Sequence, residues 1–350
     1  MFRKLDRYLA RSFVEPFLVA TAVIVGLYTV ADAFSNLDDY LRASGRVIEA
    51  LSRMAQIYLL RIPAFLAPIL PFSMLVGAAY GISRLSGRNE ISAMKASGLS
   101  FWHILGPVYA MAAAVALLGF ANHELLVPKV EQMAAPNVQV WEGRGDRYER
   151  VVDYLEEEGT LYSLMYNVAK RHARSVSLFK RLPDGKTSHI IAGEAKPAPD
   201  GWILRQMRGQ EGEYFWRTRL RSRDLEVRLL PPNARPLAVL RRLIRNAERE
   251  KNEGERRTYL FDYHGRLAYP FTGIVLVALG MPFVIGHEKL QRSRMLGIGV
   301  CVVICMVFYT VQFIVKDLGH TGHLPPAVAA WLPNIIFGGL ALYLLETVHE

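Results

Sequence analysis

Residues 13–34 read FVEPFLVATAVIVGLYTVADAF, a run whose only charges, Glu15 and Asp32, stand near its two ends. A bilayer core takes roughly 20 consecutive apolar residues as one helix, and this stretch has that length. A basic opening precedes it (Arg3, Lys4, Arg7, Arg11). The run is too long for the apolar core of a cleavable leader and no A-x-A-like site follows, so it reads as a retained first span. Working outward, the same test finds spans at about 54–82, 101–121, 267–286, 295–315 and 324–345. Pro63, Pro68 and Pro71 predict a kink in the second span, because each removes a backbone donor. Arg61, near that span's start, has the reach to place its charge at the interface.

From 122 to 259 no stretch is long and apolar enough to cross. Segments 160–169, 175–180, 189–192, 202–207, 214–220 and 224–230 mix apolar and polar residues in the manner of short strands. Turns at Pro183-Asp184-Gly185 and Pro199-Asp200-Gly201 punctuate them. Evenly spaced short strands with such turns predict a β sandwich or jelly roll, while 237–257 reads as a charged helix with a solvated face. The expected fold is thus an α-helical membrane protein with six transmembrane helices, three plus three, and an inserted periplasmic β jelly-roll domain. Its parts are spans one to three at 1–121, the β domain at 122–259, and spans four to six at 260–350.

The chain has 350 residues, 51% of them hydrophobic, and a net charge of +10. The positive charge flanks the spans, which argues for a membrane surface and against nucleic acid. Arg3, Lys4, Arg7, Arg11, Arg84, Arg88, Lys95, Lys289, Arg292 and Arg294 share one side, whereas the opposite short loops hold Arg42, Arg46, Arg53 and Lys316. The positive-inside rule then puts both termini in the cytoplasm and the large domain outside. Cys301 and Cys305 share one helix face, a spacing open to a bridge or a metal pair. No histidine cluster accompanies them, and small buried hydrophobes are the simpler reading. There is no G-x-x-x-x-G-K-[ST] loop, H-E-x-x-H, G-x-S-x-G or C-x-x-C. His172 and His189 show no convergence on a site. Charges are scarce at the span centres, which argues against ion-driven transport. Any energy is expected from a partner.

Several local stretches complete the pattern: Leu5-Asp6-Arg7-Tyr8 before the first span, Glu90-Ile91 through Met94-Lys95-Ala96-Ser97-Gly98 after the second, Pro128 with Glu131-Gln132-Met133 after the third, and Pro325-Pro326 opening the last. With the three-plus-three topology, they resemble the LptF/LptG permease family over essentially the whole length. The opening and the Glu-Gln-Met stretch look more like the G-type subunit than the F-type.

The resemblance implies a permease subunit of an ABC exporter that moves lipopolysaccharide from the inner membrane to a periplasmic jelly-roll bridge protein. It implies a paralogous permease subunit and a cytoplasmic ATPase dimer as partners, with ATP bound by that ATPase and no cofactor or metal in this chain. The family's coupling helix maps to about 87–98. Glu90 would contact the ATPase, with Arg88 and Met94 beside it; the plainer reading of Glu90 is an acid at a helix start, with Asn89 as cap. The first and fifth spans are the family's lateral gates. Asp32, Asn36, Arg42 and Lys129 are therefore candidates along the substrate path, although Asp38 and Asp39 stand where basic residues are expected. Phe308 and Phe313, with Met306 and Ile314, would offer an apolar wall to acyl chains. Two other classes stay in view: an ATPase-coupled protein that only transmits force, and a membrane-anchored periplasmic scaffold.

Overall fold

The computed structural model describes residues 4–44, 46–141, 148–155, 160–181, 187–207, 212–249, 251–286 and 294–349. The turn at Pro183-Asp184-Gly185 and the basic residues Arg3, Lys289 and Arg292 lie outside the described residues. Among the described residues, six helices are long and apolar enough to cross a membrane. They are α1 (Lys4–Ser35), α3 (Val47–Ser86), α5 (Phe101–Ala121) with its continuation, α9 (Glu253–Gly286), α10 (Arg294–Thr321) and α11 (Pro326–His349). Short helices α2 (Leu37–Ser44) and α4 (Glu90–Ala96) lie between spans. The chain divides into two compact units.

The first unit, residues 1–31, 62–126 and 251–350, is the helical bundle. Its core joins Leu9, Phe13 and Phe17 of α1 to Leu75 and Ile82 of α3, Ile104 and Leu105 of α5, Leu276 of α9, and Phe337 of α11. Cys301 and Cys305 are buried and unbridged in that core, as small hydrophobes are. The α3 helix runs unbroken through its prolines because neighbours take up carbonyls. Pro71 cannot donate to the Ala67 carbonyl, and the Tyr269 hydroxyl donates to it instead at 2.7 Å. Asn122 Nδ2 also donates to the Pro63 carbonyl at 2.8 Å, a further tie between the second and third spans at a carbonyl that no proline orphans.

The helix that forms the third span does not stop at 121. It widens into a π turn at Asn122–Leu126 and continues as α6 (Val127–Trp141). Pro128 has no N–H to offer the Glu124 carbonyl, and a π turn lets the helix pass such a fault. The expected β region therefore begins with helix. Arg266 of α9, almost fully buried, donates to the His123 carbonyl at 3.2 Å and lies 3.6 Å from the Glu124 carboxylate.

The second unit, residues 32–61 and 127–250, holds the β domain. Its described strands are β1 (Glu149–Leu155), β2 (Thr160–Asn167), β3 (His172–Arg181), β4 (Thr187–Ala198), β5 (Gly201–Met207) and β6 (Tyr214–Arg217). They pair antiparallel in sequential order. Ala198 pairs with Gly201, so the second expected turn is a two-residue hairpin loop. Alternation along β2 sends Tyr162, Leu164 and Tyr166 to one face, where they meet Val176, Trp202, Leu204 and Trp216.

The segment expected as a strand at 224–230 is instead α7 (Ser222–Arg228). Asp224 accepts from the Arg221 N–H at 2.9 Å and closes the first turn. Helical spacing then brings Leu225 and Leu229 against the sheet core. Strand β6 ends early because Thr218 Oγ1 accepts from the Leu220 N–H and turns the chain. Trp202 Nε1 donates to the Leu220 carbonyl at 2.8 Å, tying β5 to that turn. Arg228 donates to the Tyr162 hydroxyl at 2.7 Å. Burial pushes the Arg228 guanidinium down to about 9, with Arg242 adding repulsion, and lifts the Tyr162 phenol above its ordinary value. The charged helix is α8 (Leu237–Arg249). Leu240 and Ala247 are buried on one face, and Arg241, Arg242 and Arg245 are exposed on the other.

Candidate functional site

The segment after the second span carries the first candidate site. Helix α3 ends at Ser86, and Asn89 adopts a left-handed backbone with φ 58°. Asparagine tolerates that conformation better than most residues. Asn89 makes no side-chain cap, contrary to expectation, because a left-handed backbone does not have the extended geometry a cap requires. Its carbonyl still accepts from Ala93 at 3.0 Å and starts α4. Ile91 is buried and Met94 packs against the bundle core. Arg88 is exposed and Glu90 half-buried.

Glu90 is held from two sides. The Tyr8 hydroxyl donates to its Oε2 at 2.7 Å, and the Arg88 guanidinium lies 3.9 Å from its Oε1. The α5 helix then opens with Ser100 accepting from the His103 N–H at 3.2 Å. The His103 ring lies 3.5 Å from the Asp6 carboxylate. Sequence reading gave Glu90, Arg88 and Met94 their places but missed Tyr8 and Asp6. Such contacts across more than 80 positions leave no periodic trace.

A second site lies within the bundle. A crevice of about 510 Å³ is lined by Val19 and Val23 of α1, Phe72 and Val76 of α3, and Ile298 of α10, with Glu15 and Arg84 also on its wall. Arg84 is 3.7 Å from Glu15, which also pairs with Arg11. The spacing of Gly77 and Gly81 on α3 explains how close α1 comes. A side chain at 77 would stand 2.6 Å from the Phe17 backbone, and one at 81 would overlap the Ser12 carbonyl oxygen. That carbonyl is the one Pro16 leaves without its helical donor. The G-x-x-x-G spacing in an apolar run signals such an approach, and the sequence reading passed over it.

The remaining candidates separate. Asp32 accepts from the Tyr58 hydroxyl at 2.6 Å, and Asn36 Nδ2 donates to the Asp32 carbonyl at 2.8 Å. Both are thus engaged in joining α1 to α3 within the second unit. Arg61 pairs with Glu131 at 3.0 Å instead of reaching for the interface alone. Gln132 donates to the Arg223 carbonyl at 3.2 Å, so the Glu-Gln-Met stretch is also a packing device. Lys129 is exposed on α6. Arg42 lies on α2, and its side chain is outside the described residues. Phe308 is fully buried with its ring 5.1 Å from Phe337, whereas Phe313 is 74% exposed. Of the two phenylalanines, only Phe313 presents an open apolar surface.

Residues 7–347 match the family described as lipopolysaccharide export system permease LptF/LptG. The lipopolysaccharide export system permease protein LptG of Escherichia coli strain K12 is 24% identical over 366 aligned positions, covering 98% of each chain. The protein of the same name from Haemophilus influenzae is 22% identical over 376 positions, covering 100% of each. With six long apolar helices and an antiparallel sheet inserted between the third and fourth among the described residues, and a match almost end to end, the chain belongs to the LptF/LptG family of lipopolysaccharide export system permeases.

Proposed function

We propose that the chain is a permease subunit of an ABC exporter that extracts lipopolysaccharide from the bacterial inner membrane and passes it to a periplasmic bridge protein. The observation that carries this is the family match across residues 7–347, which spans both triplets of helices and the sheet. The similar proteins named above are both LptG, and the opening and Glu-Gln-Met stretches agree, so the G-type role is the one proposed. A paralogous permease subunit completes the pore, and a cytoplasmic ATPase dimer binds and hydrolyses ATP. The absence of a phosphate loop from the sequence supports this division of labour. The basic flanks support cytoplasmic termini and a periplasmic β domain.

In this reading α4 docks on the ATPase through Glu90, with Arg88 and Met94 alongside. A short helix between two spans, with a half-buried acid in its first turn, suits such a contact. The crevice of α1, α3 and α10 offers apolar wall to acyl chains. Exposed Phe313, elsewhere on α10, adds open apolar surface, and Lys129 and Arg42 supply charge for substrate phosphates. The test is coexpression with candidate ATPase subunits and affinity purification. Wild type is expected to bring the ATPase down, and Glu90→Lys to lose it. Unchanged copurification and unchanged lipid-stimulated hydrolysis in Glu90→Lys would remove the docking assignment.

A further inference from the structure

The opening stretch Leu5-Asp6-Arg7-Tyr8 has no part in the function proposed so far. Yet the first turns of α1 touch α4 at its start and α5 beyond its end. Tyr8 donates to Glu90 Oε2 at 2.7 Å where α4 begins. Asp6 lies 3.5 Å from the His103 ring just inside α5, beyond the segment's end. Beneath these polar contacts Leu5 and Leu9 pack in the cluster that holds Leu85, Ile91, Met94 and Phe101. Further along α1, Gly77 and Gly81 seat it against α3, backbone to backbone. The start of α1 is therefore fastened to the end of α3, to α4 and to the start of α5.

We propose that Tyr8 is a positioning residue for the ATPase contact, and that with the Asp6–His103 pair it forms a strut passing displacement of α4 directly into the first span. The Tyr8 hydroxyl occupies one oxygen of Glu90 and so fixes the rotamer of the carboxylate, leaving Oε1 on the Arg88 side. Ile91 and Met94 pack α4 in the cluster that holds Leu5 and Leu9, and the Tyr8 hydroxyl adds to that apolar contact a directional link to the one acid of α4. With the strut in place, α4 carries the first span with it, and that span lines the crevice. The inference rests on the reading that α4 meets the ATPase. It adds which residues orient Glu90 and where the motion goes.

The test uses the intact complex with its ATPase, reconstituted in vesicles containing lipopolysaccharide. It compares Tyr8→Phe, Glu90→Ala, the double variant and Glu90→Lys. Tyr8→Phe keeps the ring and removes only the hydroxyl at a 40% exposed position. The readout is lipid released per ATP hydrolysed, a ratio that a partly unfolded fraction does not alter. The expected result is a fall in that ratio of about fivefold or more for Tyr8→Phe. The double variant is expected to be no worse than Glu90→Ala, since both single changes remove the same contact. A wild-type ratio in Tyr8→Phe, or additive losses in the double variant, would overturn the strut. If Glu90→Lys meanwhile loses the ATPase, the docking reading stands without it. If Glu90→Lys keeps both ATPase and coupling, the docking reading itself falls and takes the strut with it.

Discussion

Arg61 and Glu131 lie 70 positions apart and meet at 3.0 Å, with the acid's side chain only 10% exposed. Removing one member leaves the other desolvated, so Glu131→Ala is expected to cost about 1–3 kcal/mol. It should show as a lower thermal midpoint of the purified protein. Replacing both, Arg61→Met with Glu131→Leu, should recover most of the loss, because a well-packed apolar pair substitutes for a buried ion pair. A second residue-scale prediction concerns Tyr269. Tyr269→Phe strands the Ala67 carbonyl and is expected to cost about 1 kcal/mol by the same measurement. In a Pro71→Ala background the helix supplies its own donor, and the same change should then cost less. The prolines were visible in the sequence, and so was the need for a donor. Which side chain would supply it was not, because Tyr269 is 202 positions away and an apolar span gives a lone tyrosine no pattern.

Elements show the same division between what is local and what is not. The six spans were legible because a bilayer sets their length and composition. Most strands were legible because alternation is local: β2, β3 and β5 fall where period-two segments stood. The segment 224–230 was misread because Asp224-Leu225-Glu226-Val227 alternates like a strand. Its fate was decided by Asp224 reaching back to Arg221 and by leucines at helical spacing. The helix of the third span runs on past 121 because the π turn ahead of Pro128 carries it through polar residues that look like a helix end. At this scale the seating of α1 on α3 is the sharpest test. Gly81→Val forces a side chain into the Ser12 carbonyl and is expected to cost about 1–3 kcal/mol through overpacking. It should also reduce the yield of monodisperse protein in detergent. Gly26→Val, where nothing lies within 4 Å, should leave yield and thermal midpoint near wild type.

At the scale of the whole molecule, parity governs the function. Three crossings precede the inserted sheet and three follow it, so an odd number of spans separates the β domain from each terminus and from α4. The function proposed above needs an ATPase-facing helix and a lipid-handing domain on opposite sides of the membrane, and an odd count of crossings meets that need. By the positive-inside rule the basic flanks are expected on the cytoplasmic side. The choice is testable with single cysteines, since Cys301 and Cys305 are buried and an inaccessible thiol reacts slowly. A cysteine at Asp200, exposed in the loop joining β4 and β5, should react with a membrane-impermeant maleimide once the outer membrane is permeabilised. A cysteine at Lys95, exposed on α4, should react only after the inner membrane is broken. Asp200→Cys shielded until lysis would set the sheet on the cytoplasmic side, where it could hand no lipid to a periplasmic bridge. The ATPase would then have no helix to grip, and the exporter reading would be lost with the orientation.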